Sequence, residues 1–253
     1  MTAVHDILRT GSPGPAPADP SPQRSPLPEL EPEPSSFADR FLVGLFVVVP
    51  LLAVAAAVPL VFTTAWHMLF GRAGLRPGED VLVIGAGSGV GSAAIQIAKL
   101  VGSRVIATAG TDAKLEKARQ LGADEVINHT KQSIADEVRR LTDRRGVGVI
   151  VEHVGAAVWE ACFNSLATYG RLVTCGVTSG AEVKLNVQAL FGRQRTILGS
   201  FVGGKAELID ALKFIAQRKL RAVIDSAFPL QDAATAQKKM ESRDFFGKIL
   251  LHP

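Results

Sequence analysis

The sequence predicts an α/β protein: a doubly wound parallel sheet with helices on both faces, preceded by a Pro-rich arm and an apolar helical segment. Two observations predict it. The first is Val81-Leu82-Val83-Ile84, four apolar residues in a row, followed by a glycine-rich turn and then a helical pattern. Such a run reads as a strand buried on both faces. The second is the regular alternation, from Arg76 onward, of short apolar runs with helical segments of about ten residues. That alternation means parallel strands joined by crossover helices.

Each element has its own signal. Pro77-Gly78 turns the chain into the strand at 81–84. The helix at 92–100 places Ala94, Ile97 and Ala98 on one face. It stops at Gly102, where a left-handed residue closes a helix without steric cost. A second strand is expected over 104–109, a helix over 111–121 halted by Gly122, and a short strand over 125–128. Ser133-Ile134-Ala135-Asp136 reads as a capping box opening a helix to Leu141. Strands follow at 147–154 and 171–176, with a helix at 156–168 between them. The chain then gives a strand at 196–201, helices at 206–218 and 232–241, and a strand at 248–252.

The front of the chain is different in kind. Nine of the 14 prolines lie between Pro13 and Pro34, mixed with Ser, Ala and Glu. Such a segment buries too little apolar surface to fold alone, so residues 1–40 are expected to be disordered. Next comes an uncharged run, 41–70, whose only ionisable group is His67. Its first part, 41–61, is long enough to span a bilayer. Arg72 and Arg76 behind it would leave the C-terminal part in the cytoplasm. The other reading is a buried helix pair broken at Pro50 and Pro59.

Net charge is +4, and the arm is acidic, so the remainder is more basic than the whole. That suits an anionic ligand. The charge is diffuse, without basic runs interleaved with aromatics, which argues against nucleic-acid binding. Cys162 and Cys175 are too few for a disulfide framework and sit among apolar residues, as core cysteines do. The five histidines form no H-x-x-x-H pair, and no metal site is expected.

The chemistry is expected at the turn Gly85-Ala86-Gly87-Ser88-Gly89-Val90-Gly91. Glycines let the backbone approach a pyrophosphate, and the first N–H groups of the following helix point at it. The spacing does not fit G-x-G-x-x-G, and two nucleotide readings stay open. One is a dinucleotide. The other is S-adenosylmethionine, because the strand and turn resemble the first motif of methyltransferases, which usually carry an acid where this chain has Val83. In both classes an acidic residue at the end of the second strand binds ribose hydroxyls. Here Ala109-Gly110-Thr111 occupies that place, and Asp112 lies one turn too late. Lys114, a cation in the first turn of a helix, opposes the helix dipole unless an anion binds nearby. With the Thr111 hydroxyl it suits a 2′-phosphate, which favours NADP(H) over NAD(H) and weakens the methyltransferase reading.

From about Ala53 onward the chain resembles the cofactor-binding half of the medium-chain dehydrogenase/reductase superfamily, which includes zinc alcohol dehydrogenases and quinone oxidoreductases. The resemblance rests on several stretches. They are Ala57–Trp66, Gly74-Leu75-Arg76-Pro77-Gly78-Glu79, the 85–91 turn, Leu121-Gly122-Ala123-Asp124, Gly170-Arg171-Leu172-Val173, Ile197-Leu198-Gly199-Ser200 and Phe246-Gly247-Lys248-Ile249. It implies a Rossmann-type fold with the pyrophosphate on Gly87, Ser88, Gly89 and Val90. The nicotinamide would lie near Val154-Gly155, Gly176-Val177 and Phe201-Val202. It implies a homodimer through edge pairing of the strand between Thr196 and Phe201, and a cytoplasmic protein. His129 stands where quinone-reductase-like members often carry Tyr. The residues ahead of the match are Pro-rich and then apolar, so the family's β-rich N-terminal catalytic domain, with its zinc ligands, is not expected here. The resemblance also makes the second half of the apolar run an interdomain helix, leaving 41–52 without such a precedent. The expected activity is hydride transfer to or from a carbonyl, alcohol or activated alkene, with a non-catalytic dinucleotide-binding module as the alternative.

Overall fold

The structure, a computed structural model, describes residues 57–253. The expected Pro-rich arm and the first part of the apolar run, with its candidate membrane span, lie outside the described residues.

Six strands form one parallel sheet: β1 (Asp80–Val83), β2 (Arg104–Ala109), β3 (Glu125–Asn128), β4 (Val147–Glu152), β5 (Leu166–Thr174) and β6 (Thr196–Gly199). Their order is β3-β2-β1-β4-β5-β6. The chain winds outward from β1 to β3, then crosses back to β4 beside β1. That reversal opens a crevice at the C-terminal ends of β1 and β4, where ligands bind in sheets of this kind. A separate two-stranded parallel sheet joins β7 (Ile224–Pro229) to β8 (Lys248–His252).

Alternation along the strands divides the core in two. Val81, Val83, Val105, Ala107, Val149, Val151 and Val173 point to one face. There they meet α1 (Pro59–Trp66), α2 (Gly89–Leu100), α3 (Asp112–Gln120) and α7 (Lys205–Ala216). Leu82, Ile84, Ile106, Ile150 and Leu172 point to the other. They meet α4 (Ile134–Leu141), α5 (Ala156–Ser165) and the short α6 (Val187–Gly192). Both faces are covered, which is why Val81–Ile84 could be apolar without a break.

The helix after the glycine turn is more enclosed than its pattern implied. Every residue from Gly91 to Ala98 is buried, not one stripe alone. Helix α1 lies against its N-terminal end, and Gln96 is hydrogen-bonded in both directions to Arg221, donating to its carbonyl (3.1 Å) and accepting its N–H (2.9 Å). Pro59 opens α1 at the position where a missing N–H costs nothing, and a π-helical turn, His67–Arg72, follows it. This part of the apolar run is therefore a packed helix, with Val61, Phe62 and Ala65 in the core. Among the described residues no helix is long and apolar enough to cross a membrane.

Sequence motifs far apart in the chain meet in space. Glu79 and Arg171, each from one of the matching stretches, form a bidentate pair at 2.9 and 2.7 Å. Asp124 accepts from the Val105 N–H (2.7 Å) and from Lys99 Nζ (2.9 Å), closing the start of β2. The N–H of Gly247 donates to the carbonyl of Gly87 (2.8 Å), tying the segment before β8 to the phosphate turn.

Two expectations are corrected. The helix expected over 156–168 stops at Ser165, and β5 begins at Leu166. Ala167 and Thr168 carry no stop signal, so tertiary pairing decides. Leu166 pairs with Val147 and is fully buried, and the register then slips so that Val149 faces Arg171. Tyr169, at φ 62, and Gly170 absorb the slip. The second is an omission: β7 was not legible, because Ile-Asp-Ser-Ala-Phe-Pro shows no clean alternation and ends in proline.

Candidate functional site

The parallel sheet brings every expected site residue to its C-terminal edge. The turn 85–91 follows β1, Gly110 and Thr111 follow β2, Val154 follows β4, Gly176 follows β5, and Phe201 and Val202 follow β6.

The turn is built to leave N–H groups free. Ala86 N–H donates to Thr108 O, Ser88 N–H to Gly85 O and Gly91 N–H to Ser88 Oγ (2.8 Å). Ser88 is thus the N-cap of α2. Among the described residues nothing accepts from the N–H groups of Gly87, Gly89 or Val90. Three unpaired donors at a helix N-terminus form an anion cradle. Side chains would obstruct it. A methyl at Gly91 would sit 2.3 Å from Gly85 O, and one at Gly89 would sit 2.7 Å from Val61 Cγ1 and 2.9 Å from Lys248 Cδ.

Two lysines flank this cradle. Lys114 runs beside Gly87, its Cδ 3.4 Å from where a Cβ would be. Its ammonium donates to the carbonyl of Arg243 and lies 5.7 Å from the Phe245 ring centroid. The stem of Lys248 lies against Gly89. Lys114 is expected from its position in the helix. Lys248 is not, because nothing in Phe-Gly-Lys says that β8 returns to the first turn.

At the end of β2 the hydroxyl oxygen of Thr111 caps α3, accepting from Lys114 N (3.3 Å). His129 closes the other side of Gly110, its Nε2 3.3 Å from a notional Cβ there. Burial lowers the His129 pKa from its ordinary value, and the charge of Lys114 adds to this. Asp112 does not face this pocket as a free carboxylate. It accepts from Lys131 Nζ (2.6 Å) and Asn128 Nδ2 (2.6 Å), and these bonds lower its pKa.

At the other end, Glu152 is fully buried at the end of β4. Its carboxylate accepts from the N–H groups of Val154 and Gly155 and from the Thr174 hydroxyl (2.7 Å). These bonds fix the backbone that presents Val154. Gly176 packs so closely that a Cβ would lie 2.5 Å from His153 O. Val202 has φ 47, a left-handed conformation that a β-branched residue adopts only at a cost of ~1–3 kcal/mol. Phe201 beside it is 91% exposed. Val154, Gly176, Phe201 and Val202 thus line one edge, and none of them carries an ionisable group.

Neither cysteine is poised for chemistry. Burial, with the charge of Glu152 second, pushes the Cys175 thiol up to about 11 and the Cys162 thiol higher still. Cys175 is therefore expected to react with iodoacetamide at pH 8 roughly 100-fold more slowly than a free thiol, because only the thiolate attacks. The rate should climb with pH up to about 11. Labelling at the rate of free cysteine would contradict that burial. Among the described residues no three His, Cys, Asp or Glu side chains come together for a metal ion.

Fold and turn together define a doubly wound α/β domain of the Rossmann type. Residues 89–217 match the family described as zinc-binding dehydrogenase, and the chain belongs to it. It is 30% identical to quinone oxidoreductase-like protein 2 of Bos taurus, over 78% of this chain and 59% of that one. It is 34% identical to phthioceranic/hydroxyphthioceranic acid synthase of Mycobacterium tuberculosis, over 79% of this chain and 10% of that one. A crystal structure of an NAD-dependent alcohol dehydrogenase superposes with a TM-score of 0.75 at 47% identity, covering 79% of this chain and 58% of that one. The chain thus spans less than two thirds of each of these relatives. Membership of this family displaces the methyltransferase reading.

Proposed function

We propose that this chain is the cofactor-binding part of an NAD(P)H-dependent oxidoreductase that moves a hydride to or from a carbonyl, alcohol or activated alkene. The observation that carries the reading is the cradle of free N–H groups at Gly87, Gly89 and Val90, set at the switch point of the sheet. A pyrophosphate would lie there, with the side chains of Ser88 and Lys248 around it. The nicotinamide end would lie over Val154, Gly176, Phe201 and Val202. When bound, the nicotinamide supplies the hydride chemistry, and the protein orients it and shields one face.

We favour NADP(H). The end of β2 holds no carboxylate free to pair with ribose hydroxyls, since Asp112 is engaged by Asn128 and Lys131. Thr111 and Lys114 leave protons to offer a 2′-phosphate, and Arg243 adjoins Lys114. The alcohol dehydrogenase relative is named for NAD, so preference is the property to measure.

A second reading is favoured by one observation: Val154, Gly176, Phe201 and Val202, the residues assigned to the nicotinamide end, carry no acid or base. On that reading the chain binds the cofactor and catalyses nothing by itself. Partnership is proposed as a homodimer through β6, an edge strand with Phe191 (69% exposed) and Phe201 beside it.

The test is titration of the full chain with NADPH and NADH at one salt concentration, followed by fluorescence. NADPH is expected to bind at least tenfold more tightly. Binding of neither below millimolar overturns the dinucleotide reading, and preference for NADH overturns the 2′-phosphate assignment. Turnover of a quinone, enal or alcohol excludes the non-catalytic alternative.

A further inference from the structure

The side chain of His153 has no part in the reading above, yet it touches the phosphate turn. Its Nε2 lies 2.9 Å from Ser88 Oγ, and its ring lies against Gly85, Cε1 being 3.1 Å from a notional Cβ there. Ser88 Oγ already accepts the Gly91 N–H (2.8 Å). The hydroxyl has one proton to give and a second lone pair to offer. With an unprotonated Nε2, the Ser88 proton goes to His153. With a protonated Nε2, the ring donates to Ser88 and the hydroxyl proton is free.

A pyrophosphate oxygen carries no proton near neutral pH and can only accept. It therefore competes with the unprotonated ring for the Ser88 proton and has no such rival when Nε2 is protonated. We propose that His153 is a positioning residue of the phosphate turn, and that a proton on its Nε2 releases the Ser88 hydroxyl to a bound pyrophosphate, so that dinucleotide and proton bind together. This rests on the dinucleotide reading.

Charges around the ring set the starting state. Burial lowers the His153 pKa from its ordinary value, while the charge of Glu152 and the carbonyls of His153 and Ile84 oppose that shift. The other groups near ring and turn are Cys175 at the end of β5, a thiol that stays neutral here, Lys114 from α3 and Lys248 from β8. The turn 85–91 has no ionisable side chain. Burial thus favours the neutral ring in the free protein, and an arriving anion raises its proton affinity. Dinucleotide affinity is flat above the His153 pKa of the complex. It rises as pH falls toward the lower pKa of the free protein, and is flat again below it.

The experiment is calorimetric titration of the full chain with NAD+ from pH 5.5 to 8, each point in two buffers of different ionisation enthalpy. NAD+ lacks a 2′-phosphate and has no group titrating in this range. The wild type is expected to take up a fraction of a proton per NAD+ bound and to bind about 3- to 10-fold more tightly at the acid end. H153Q, whose amide can donate at every pH, should take up no proton and show a flat profile. H252N, at the exposed end of β8, should keep the slope. Wild-type binding without proton uptake overturns the proposal, as does an unchanged slope in H153Q, and in both cases the dinucleotide reading stands. Absence of NAD+ binding at every pH removes that reading and this proposal together.

Discussion

Replacing Lys114 with alanine is expected to lower NADPH affinity about 10- to 100-fold while leaving NADH affinity within about twofold, the range of a charge-assisted hydrogen bond of ~1.5–3 kcal/mol. Lys114 sits in the first turn of α3, beside Gly87 and close behind the end of β2. A cation there is unfavourable for the helix by itself and becomes favourable when an anion binds. The side chain also donates to Arg243 O and lies near Phe245, so alanine loosens the segment that carries Gly247 as well. That structural loss would weaken both cofactors alike, and the twofold allowance for NADH is its expected size. Lys114→Arg keeps the charge and Lys114→Met keeps the stem, so the pair separates the two effects. NADPH preference should survive in the first and vanish in the second, and the preference should shrink with salt. Equal loss of NADPH and NADH in all three variants would remove the 2′-phosphate assignment.

The second large effect concerns the turn itself. Gly91→Ala should cost about 3 kcal/mol of stability and abolish dinucleotide binding. The added methyl would lie 2.3 Å from Gly85 O and 2.9 Å from Gly85 C, both backbone atoms of the same tight turn. Neither can yield without opening the bonds that Ser88 and Gly91 make. Gly192→Ala is the control. No atom lies within 4 Å of its notional Cβ, and alanine in a helix is favoured over glycine by up to ~1 kcal/mol. Urea midpoints should fall for the first and hold or rise for the second, with unchanged slopes. A Gly91→Ala protein as stable as the parent would show that the turn is not held as described.

Much of the fold is legible in the chain itself, for reasons that differ by element. Strands β2, β3 and β8 fall where apolar runs end at glycine, asparagine or proline, because those residues act locally. Ser133 caps its helix as its position implies, while Thr111, expected inside its helix, stands one residue ahead of it as the cap. The turn at 85–91 is legible because glycine spacing reports backbone conformation directly. The start of β5 is not, since Leu166 is pulled into the sheet by Val147 and no local residue stops the helix. Nor are the sites of Lys248 and His153. Both reach the phosphate turn through tertiary contact, and a sequence carries no local trace of which distant loop a side chain will cross.

The hydrogen bond from Gly247 to Gly87 has a consequence for how the molecule is made. The cradle is encoded early in the described residues, yet it is braced by a segment that leaves the ribosome long after it. At ~5–20 residues per second, the interval is several seconds or more, during which β1 and α2 exist without that brace. Contacts so distant in sequence also slow folding, because loop-closure entropy is lost before they form. A nascent chain stalled before Gly247 should therefore already hold its parallel strands but bind dinucleotide weakly. Ligand would then act late in biogenesis, stabilising only chains whose final strand has arrived.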